Sequence, residues 1–209
     1  MVTAKPVRNR SVTPEGAYRM ALRLAREGDF NEALPLLQFA SDLGHERSKY
    51  ALATWYLHGR AVPKDIKKAV KLLQELSESG IGEAHYDLAL CYETGSGVTR
   101  NPRKAFELYC QAGRNGVSDA WVEAGRMSFW GLGTKPDLKA ARDFLLRAAR
   151  SHDSEAEYML GVVYEKGIND TPDIQRAARW YRRAAAHDDE FGKKAQAALN
   201  ELDRAIRQG

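Results

Sequence analysis

The chain has 209 residues, with 32 lysines and arginines against 28 aspartates and glutamates and a formal net charge of +4. A balance this close indicates a mixed, solvated surface and argues against the dense positive field of a nucleic-acid-binding protein. The sequence holds no apolar run long enough to cross a bilayer and no apolar signal-peptide core near Met1. As written, it predicts a cytoplasmic protein with no membrane partner, or a periplasmic or secreted one if a signal peptide has been removed.

The N-terminal part is predicted to hold a tail followed by one helical pair. Residues 1–12 carry basic side chains but almost no periodic apolar residues, which is typical of a flexible tail. In residues 13–45, Ala33 and Gly44 match later positions at a spacing of 36 residues, although the intervening loop is shorter. We therefore expect this segment, which resembles a tetratricopeptide repeat in its tight turn, to cap a repeat array.

Residues 46–189 are predicted to be four copies of one unit. Apolar, small and polar positions recur there with a period of 36 residues, which signals a stacked array. Apolar residues at helical spacing predict a first helix, helix A, in each copy. The expected bounds are about 46–58, 82–94, 118–130 and 154–166. A glycine follows each helix A and favours the left-handed turn that ends it. These glycines are Gly59, Gly95, Gly131 and Gly167.

A second helix, helix B, is predicted after a short polar loop in each copy. Just before each helix B stands a residue whose side-chain oxygen can accept a hydrogen bond from a backbone N–H group in the first turn of that helix. These predicted caps are Asp65, Asn101, Asp137 and Asp173. A small residue that allows close helix approach follows at Ala69, Ala105, Ala141 and Ala177. Each copy is therefore predicted to be an antiparallel helical hairpin.

One motif stands almost complete in residues 84–105 and 156–177: A-x-x-x-L-G-x-x-Y-x-x-G-x-G-V-x-x-D-x-x-K-A. It resembles the Sel-one-like repeat, a branch of the tetratricopeptide superfamily. The resemblance implies an all-α, right-handed α-solenoid of antiparallel helix pairs. Its full 36-residue repeats would be 46–81, 82–117, 118–153 and 154–189. Departures from the motif include Ser128 in place of tyrosine, and Ala61 and Asn169 in place of the second loop glycine.

Residues 190–207 are predicted to form an amphipathic helix that covers the last repeat. Ala195, Leu199 and Leu202 stand at helical spacing with basic residues between them. A terminal cap of this kind is expected because the end of a repeat array has no further repeat to bury its apolar face. Residues 13–207 are accordingly predicted to be a single solenoid domain that is monomeric.

No catalytic constellation is recognised in the sequence, and no metal site or cofactor is predicted. The five histidines lack metal-ligand spacing, so exposed or helix-capping roles are expected for them. Residues 187–190 are interpreted as a polar helix junction, and the Ser-x-x-Lys motif of penicillin-binding enzymes is absent. Cys91 and Cys110 occupy mostly apolar columns, which favours buried free thiols over a disulfide. The chain is predicted to be non-enzymatic.

The predicted binding surface is the concave face, which helix A lines in the family that the sequence resembles. Positions that face a partner are free to differ between repeats, and four helix-A columns differ in this way. They read Tyr50, Tyr86, Val122, Tyr158; Thr54, Leu90, Arg126, Val162; Leu57, Glu93, Phe129, Glu165; and His58, Thr94, Trp130, Lys166. All of these except Leu57, Thr94 and Lys166 are predicted partner contacts.

The third repeat is the outlier in these columns. Arg126 and Trp130 are four residues apart on one helical face, with Phe129 beside them, and these residue types are enriched in interface hot spots. Alternatively, Phe129 and Trp130 close the core where Ser128 has replaced a tyrosine. Trp121, a further predicted contact, either extends the patch or packs on the neighbouring repeat.

These observations predict a scaffold or adaptor that binds a protein or peptide in its concave groove. The family resemblance adds one specific role, an immunity or inhibitor protein against a bacterial effector. Two alternatives stay open: a cell-wall polysaccharide binder that uses the groove aromatics, and an RNA-associated protein that uses the arginines of residues 176–183. The solvated-face interpretation of those arginines is favoured, so a nucleic-acid partner is not expected.

Overall fold

The computed structural model describes residues 12–168 and 171–208, which form eleven α-helices. Their bounds are α1 Pro14–Glu27, α2 Phe30–Asp42, α3 Glu46–His58, α4 Ile66–Glu78, α5 Gly82–Thr94, α6 Pro102–Arg114, α7 Asp119–Trp130, α8 Leu138–Ala148, α9 Ser154–Lys166, α10 Ile174–Ala184 and α11 Glu190–Gln208. A 3-10 turn, Ala149–Ser151, follows α8. The described residues form no β-strand, only one isolated bridge between Ile168 and Thr171. The all-α prediction is confirmed.

Helix A of the four repeats corresponds to α3, α5, α7 and α9. Three of these helices have the predicted bounds, and α7 begins one residue late, at Asp119. The predicted tail lies outside the described residues apart from Val12, and so does the loop position Asn169.

The chain divides after Leu76 into two compact units. In the first, α1 packs on α2 and α2 packs on α3. In the second, the pairs α5–α6, α7–α8 and α9–α10 pack as hairpins, and α11 packs on α9 and α10. The interpretation of residues 13–207 as one continuous domain stays a prediction.

Buried alanines and N-terminal helix caps stabilise the hairpins at the predicted positions. The alanine that recurs in helix B is fully buried at all four positions, Ala69, Ala105, Ala141 and Ala177. Each predicted cap accepts a hydrogen bond from the backbone N–H three residues later, at 2.9–3.1 Å. These caps are Asp65, Asn101, Asp137 and Asp173, which confirms the predicted starts of helix B.

We expect Asp137→Ala to lower the free energy of unfolding by about 1 kcal/mol, because the N–H of Ala140 loses its acceptor at the start of α8. Urea denaturation measures the change. Asp137→Asn is the matched control, since it keeps the accepting oxygen and should lose far less. An equal loss for both variants would attribute the effect to the carboxylate charge.

The glycines that end helix A do not all adopt one conformation. Gly59, Gly95 and Gly131 are left-handed, with φ between 68° and 79°. Gly167 has φ 91° and ψ 120°, so the left-handed turn predicted there is wrong. Its N–H still donates to the carbonyl of Val163, but the extended ψ directs the chain into the bridge between Ile168 and Thr171.

A tyrosine of helix A lies under a cation of helix B in most repeats. Lys68 Nζ lies 4.2 Å from the ring centre of Tyr56, and Lys104 Nζ lies 4.4 Å from that of Tyr92. Each ammonium also donates to the tyrosine hydroxyl, at 2.6 and 2.8 Å. The third repeat has Ser128 and Ala140 at these positions. Ser128 Oγ is buried there without a hydrogen-bond partner among the described residues, so this repeat has lost the ring and the cation together.

Both cysteines are buried and free, as predicted. Burial raises the pKa of the Cys91 thiol to about 11, and it also raises that of Cys110. One histidine prediction is wrong: His85 is neither exposed nor capping, because it is buried and its Nδ1 donates to the carbonyl oxygen of Ile81 at 2.8 Å. His45 does cap its helix, since its ring nitrogen accepts from the N–H of Ser48.

We expect the two thiols to react slowly with an aromatic disulfide reagent at pH 8 while the protein is folded. A thiol whose pKa is near 11 is only about one thousandth thiolate at that pH, and burial also blocks access. Absorbance of the released thiolate measures the rate, and denatured protein, in which both groups should react at once, is the control. Fast reaction of the native protein would contradict the buried placement.

Candidate protein-binding face

An ion pair joins α5 to α7 at the surface of the second unit, and a second pair lies within α7. Arg126 on α7 donates to Glu93 on α5 at 2.5 Å and to Glu123, one turn earlier, at 2.8 Å. The three side chains are between 19% and 29% exposed. Burial disfavours the charge of Arg126, but its hydrogen bonds and proximity to the two glutamates outweigh this and raise its pKa. Arg126 is therefore a paired cation that connects two repeats.

Glu93 also accepts a hydrogen bond from inside its own hairpin. The hydroxyl of Tyr109, a residue of α6 that is only 1% exposed, donates to it at 2.9 Å. Burial, together with the adjacent carboxylate of Glu93, raises the pKa of Tyr109 well above its ordinary value. The ring of Tyr86 meets that of Tyr109 edge to face, with centroids 5.4 Å apart. Glu93 thus has a structural partner as well as a partly exposed position.

The same arrangement recurs two repeats later. Tyr181 donates to Glu165 at 2.6 Å, and the ring centroids of Tyr158 and Tyr181 lie 5.7 Å apart. In the third repeat the corresponding positions are Phe129 and Leu145, both buried. The residue at the Glu93 position of these three repeats therefore matches the helix-B residue sixteen positions later: glutamate stands with tyrosine, and phenylalanine with leucine. The sequence signal, a glutamate followed sixteen residues later by a tyrosine, was present but was not used in the prediction.

Two large apolar side chains are exposed beside the ion pairs. Trp130 is 60% exposed and Leu90 is 47% exposed, and no other large hydrophobic among the described residues of the second unit is exposed to this degree. Trp130 lies one helical turn after Arg126, and Leu90 occupies in α5 the repeat position that Arg126 occupies in α7. Tryptophan is among the residue types enriched in interface hot spots.

A further carboxylate lies at the start of α9. Glu155 is partly buried, and among the described residues it accepts no hydrogen bond and has no ion pair within 4 Å. Burial raises its pKa, and the nearby charges of Glu123 and Asp153 add to this effect. We call the surface formed by Leu90, Glu93, Glu123, Arg126, Trp130 and Glu155 the α5–α7–α9 face.

The predicted contact residues fall into three groups. The exposed ones are His58, Leu90, Trp130 and Glu165, and the partly exposed ones are Tyr50, Thr54, Tyr86, Glu93, Arg126, Tyr158 and Val162. Trp121, Val122 and Phe129 are buried and so are not available to a partner. Tyr50, Thr54 and His58 belong to α3 in the first unit, and their role stays a prediction.

The two alternatives for the aromatic residues of the third repeat separate in the structure. Phe129 is buried, as its core interpretation predicted, whereas Trp130 packs edge to face on Phe129 at 4.7 Å and remains exposed. Trp121 stacks on Phe144 with centroids 5.5 Å apart and fills the space that a Cβ atom of Gly113 would need. Of these three rings, only that of Trp130 is exposed.

A buried carboxylate that the sequence prediction missed lies at the end of the second unit. Glu157 is 1% exposed, and it accepts from Arg183 at 2.5 Å and lies 3.3 Å from His187 Nε2. Arg183 also lies over the ring of Trp180, and Arg176 pairs with Asp173. Two of the four arginines in residues 176–183 are therefore engaged within the chain. The Glu157 column is Lys49, His85 and Trp121 in the other repeats, and so gave no sign of a buried acid.

Neither a metal centre nor a membrane span is found in the part of the chain that the structure describes. No group of three or more histidine, cysteine, aspartate or glutamate side chains in residues 12–168 and 171–208 is positioned to hold a metal. No helix within the same residues combines the length and the apolarity that crossing a bilayer requires.

The sequence and the fold are similar to those of Sel1 repeat proteins. The Sel1 repeat model matches residues 14–45, 47–81, 82–117, 122–153 and 154–189. No curated protein matches the sequence significantly.

Solved structures with the same fold come from several bacteria. A protective antigen of uropathogenic Escherichia coli strains, which displays an SLR fold, matches with a TM-score of 0.86 and 23% identity over 92% of this chain. This chain spans 41% of the length of that antigen. A Sel1 repeat protein from Oxalobacter formigenes matches with a TM-score of 0.80 and 24% identity, over 88% of this chain and 74% of that one. An immunity protein from Pseudomonas aeruginosa matches with a TM-score of 0.50 and 18% identity, over 95% and 84% of the two chains. At these identities the likeness shows the fold.

Proposed function

Because the chain belongs to the Sel1 repeat family, we propose that it is a non-enzymatic interaction module that holds a partner protein against the α5–α7–α9 face. Arrays of this kind are typical of protein–protein interaction, since stacked helix pairs present an extended surface built from many repeats. The observation that carries the proposal is the exposure of Trp130 and Leu90 beside partly buried ion pairs.

The residue types of this face favour a protein partner over a glycan. A sugar-binding platform needs exposed aromatic faces, but Tyr86 and Tyr158 are partly buried against other rings. Trp130 and Arg126 are instead residue types that supply binding energy at protein interfaces, where an apolar centre is surrounded by polar groups.

Affinity capture from a lysate of the native cell tests the proposal. The wild-type chain is compared with a Leu90→Ala, Trp130→Ala variant, which removes exposed side chains and leaves the ion pairs in place. A matched control is Met20→Ala, Phe39→Ala, because these residues are exposed to a similar degree, 47% and 43%, in the first unit. We expect the first variant to lose a protein that both the wild type and the control retain. Retention of that protein by all three would contradict the proposed face.

The finer role that we propose is an adaptor or an inhibitor of the captured protein. The immunity protein from Pseudomonas aeruginosa supports the inhibitor role by its fold, with a TM-score of 0.50. An inhibitor should abolish the activity of the captured partner when the two are mixed in equal amounts, whereas an adaptor should leave that activity unchanged. An activity assay of the purified partner with and without the chain separates these roles.

A further inference from the structure

The charge of the α5–α7–α9 face is opposite in sign to that of the whole chain. The chain carries a formal net charge of +4, yet on this face Glu93 and Glu123 share the guanidinium of Arg126, and Glu155 has no ion pair within 4 Å among the described residues. Asp119 adds a fourth acid in the first turn of α7. These four carboxylates outnumber the nearby cations Arg126, Lys166 and Lys194, although lysine and arginine outnumber acids in the chain.

Helix electrostatics explain only part of this excess. Acids in the first turn of a helix are stabilised by the partial positive charge at its N-terminus, which accounts for Asp119 and Glu155. Glu123 lies in the second turn of α7, where this effect has faded. Its repulsion with Glu155 is one of the causes that raise the pKa of the latter group, and burial is the larger cause. The charges of Arg126 and Lys194 act in the opposite direction, but the pKa of Glu155 stays raised.

We propose that the partner segment held by the α5–α7–α9 face is cationic and carries at least one large apolar side chain. This inference rests on the proposed function and specifies the chemistry of the partner. The excess of negative charge at Glu123 and Glu155 favours the cationic part of that segment. The exposed side chains of Trp130 and Leu90 favour its apolar part.

The two parts of the segment have distinct tasks. A lysine or arginine of the partner supplies Glu155 with the donor that it lacks among the described residues and shares Glu123 with Arg126. An apolar side chain covers Trp130 and Leu90, which removes their surface from water and lowers the local dielectric constant. The ion pairs beside them are strengthened in consequence. Complementary charge of this kind contributes mainly to the association rate and to partner selection.

Binding of synthetic peptides to the full chain tests the inference. The probes are two fluorescein-labelled amphipathic peptides of equal length and equal leucine content, one with lysine and one with glutamate as its charged residue. We expect the lysine peptide to bind with an affinity that falls steeply with salt, and the glutamate peptide to bind at least about tenfold more weakly.

Two double variants with the same change of charge locate the binding. Glu123→Gln, Glu155→Gln should weaken binding of the lysine peptide about tenfold, because two of the three carboxylates of the face become neutral while the side-chain shapes are kept. Glu107→Gln, Asp143→Asn removes two carboxylates from α6 and α8, the second helices of their hairpins, and should change the affinity less than about twofold. Thermal unfolding checks that both variants fold. Equal weakening by the two variants, or equal binding of the two peptides, would overturn the inference.

Capture from lysate separates failure of this inference from failure of the proposed function. One outcome is that capture depends on Leu90 and Trp130 while the Glu123→Gln, Glu155→Gln variant retains the protein in full. In that case the face binds a partner, but the inference that the bound segment is cationic is wrong. If capture depends on neither pair, the proposed function fails and this inference fails with it. Loss of capture with both pairs of substitutions, together with the peptide result, supports both.

Discussion

Gly133→Ala is expected to lower the free energy of unfolding by about 3 kcal/mol. A Cβ atom at this position would overlap the backbone carbonyl of Pro102 and lie 2.6 Å from the backbone nitrogen of Arg103. Backbone atoms at the start of α6 cannot move aside as a flexible side chain can, so the loop after α7 or the helix itself must shift. Overpacking of this kind costs about 1–3 kcal/mol, and the left-handed backbone, with φ 74°, adds about 1 kcal/mol.

Gly116→Ala is the matched control for this prediction. Gly116 also has a positive φ, 94°, but a Cβ atom there would have no neighbour within 4 Å. Its substitution should therefore cost only the backbone term, about 1 kcal/mol. Ala61, which occupies the position of Gly133 in the first full repeat, adopts φ 63°, so the conformation by itself tolerates a side chain. Urea denaturation of both variants gives the difference. Equal losses would mean that the loop at Gly133 moves without cost.

Arg183→Met is expected to lower the free energy of unfolding by about 2–3 kcal/mol at pH 7. Glu157 is 1% exposed, and removal of Arg183 leaves its carboxylate buried with His187, 3.3 Å away, as the nearest cation-forming group. The Arg183 side chain is 45% exposed, but the carboxylate that loses its partner is buried, and an unpaired charge that stays away from water is costly. Arg179→Met, on the same helix and with no ion pair found among the described residues, should change stability by less than about 0.5 kcal/mol.

A double variant separates charge from packing in this prediction. If the buried charge is the cause, Glu157→Gln, Arg183→Met should recover part of the stability that Arg183→Met loses, because an amide is less costly to bury than a carboxylate. Urea denaturation of both single variants and the double variant completes a thermodynamic cycle. No recovery would assign the loss to the contact of the Arg183 guanidinium with the ring of Trp180, which lies 4.5 Å away.

The repeated positions are where sequence reasoning predicted the structure in detail. A period of 36 residues, glycines at the ends of helix A, side-chain caps and a buried alanine on helix B each follow from local backbone chemistry. Three of the four helix-A bounds, the four caps and the buried alanines were found as predicted, and α7 begins one residue late. Gly167 departs from its column because the chain after it forms a bridge between Ile168 and Thr171, a contact that spacing along the sequence does not encode.

The candidate site follows less directly from the sequence, because a difference between repeats has more than one physical cause. Glu93 and Glu165 accept hydrogen bonds from Tyr109 and Tyr181 inside their own hairpins. In the third repeat the same column holds Phe129, and the buried Leu145 stands at the position of the tyrosine. Variation within a repeat array thus reports on local pairing as well as on binding. Trp130 is exposed to solvent and Phe129 is not, and only the packed structure shows this difference.

The sequence by itself determined the helical repeat, its period and the beginning and end of most helices, because these depend on interactions within a few residues along the chain. Only the tertiary structure decided which charges meet across helices: Arg126 with Glu93, and Glu157 with Arg183. Such pairs join residues 26 and 33 positions apart, and their strength depends on burial and distance. Neither quantity is present in a sequence until its helices have packed.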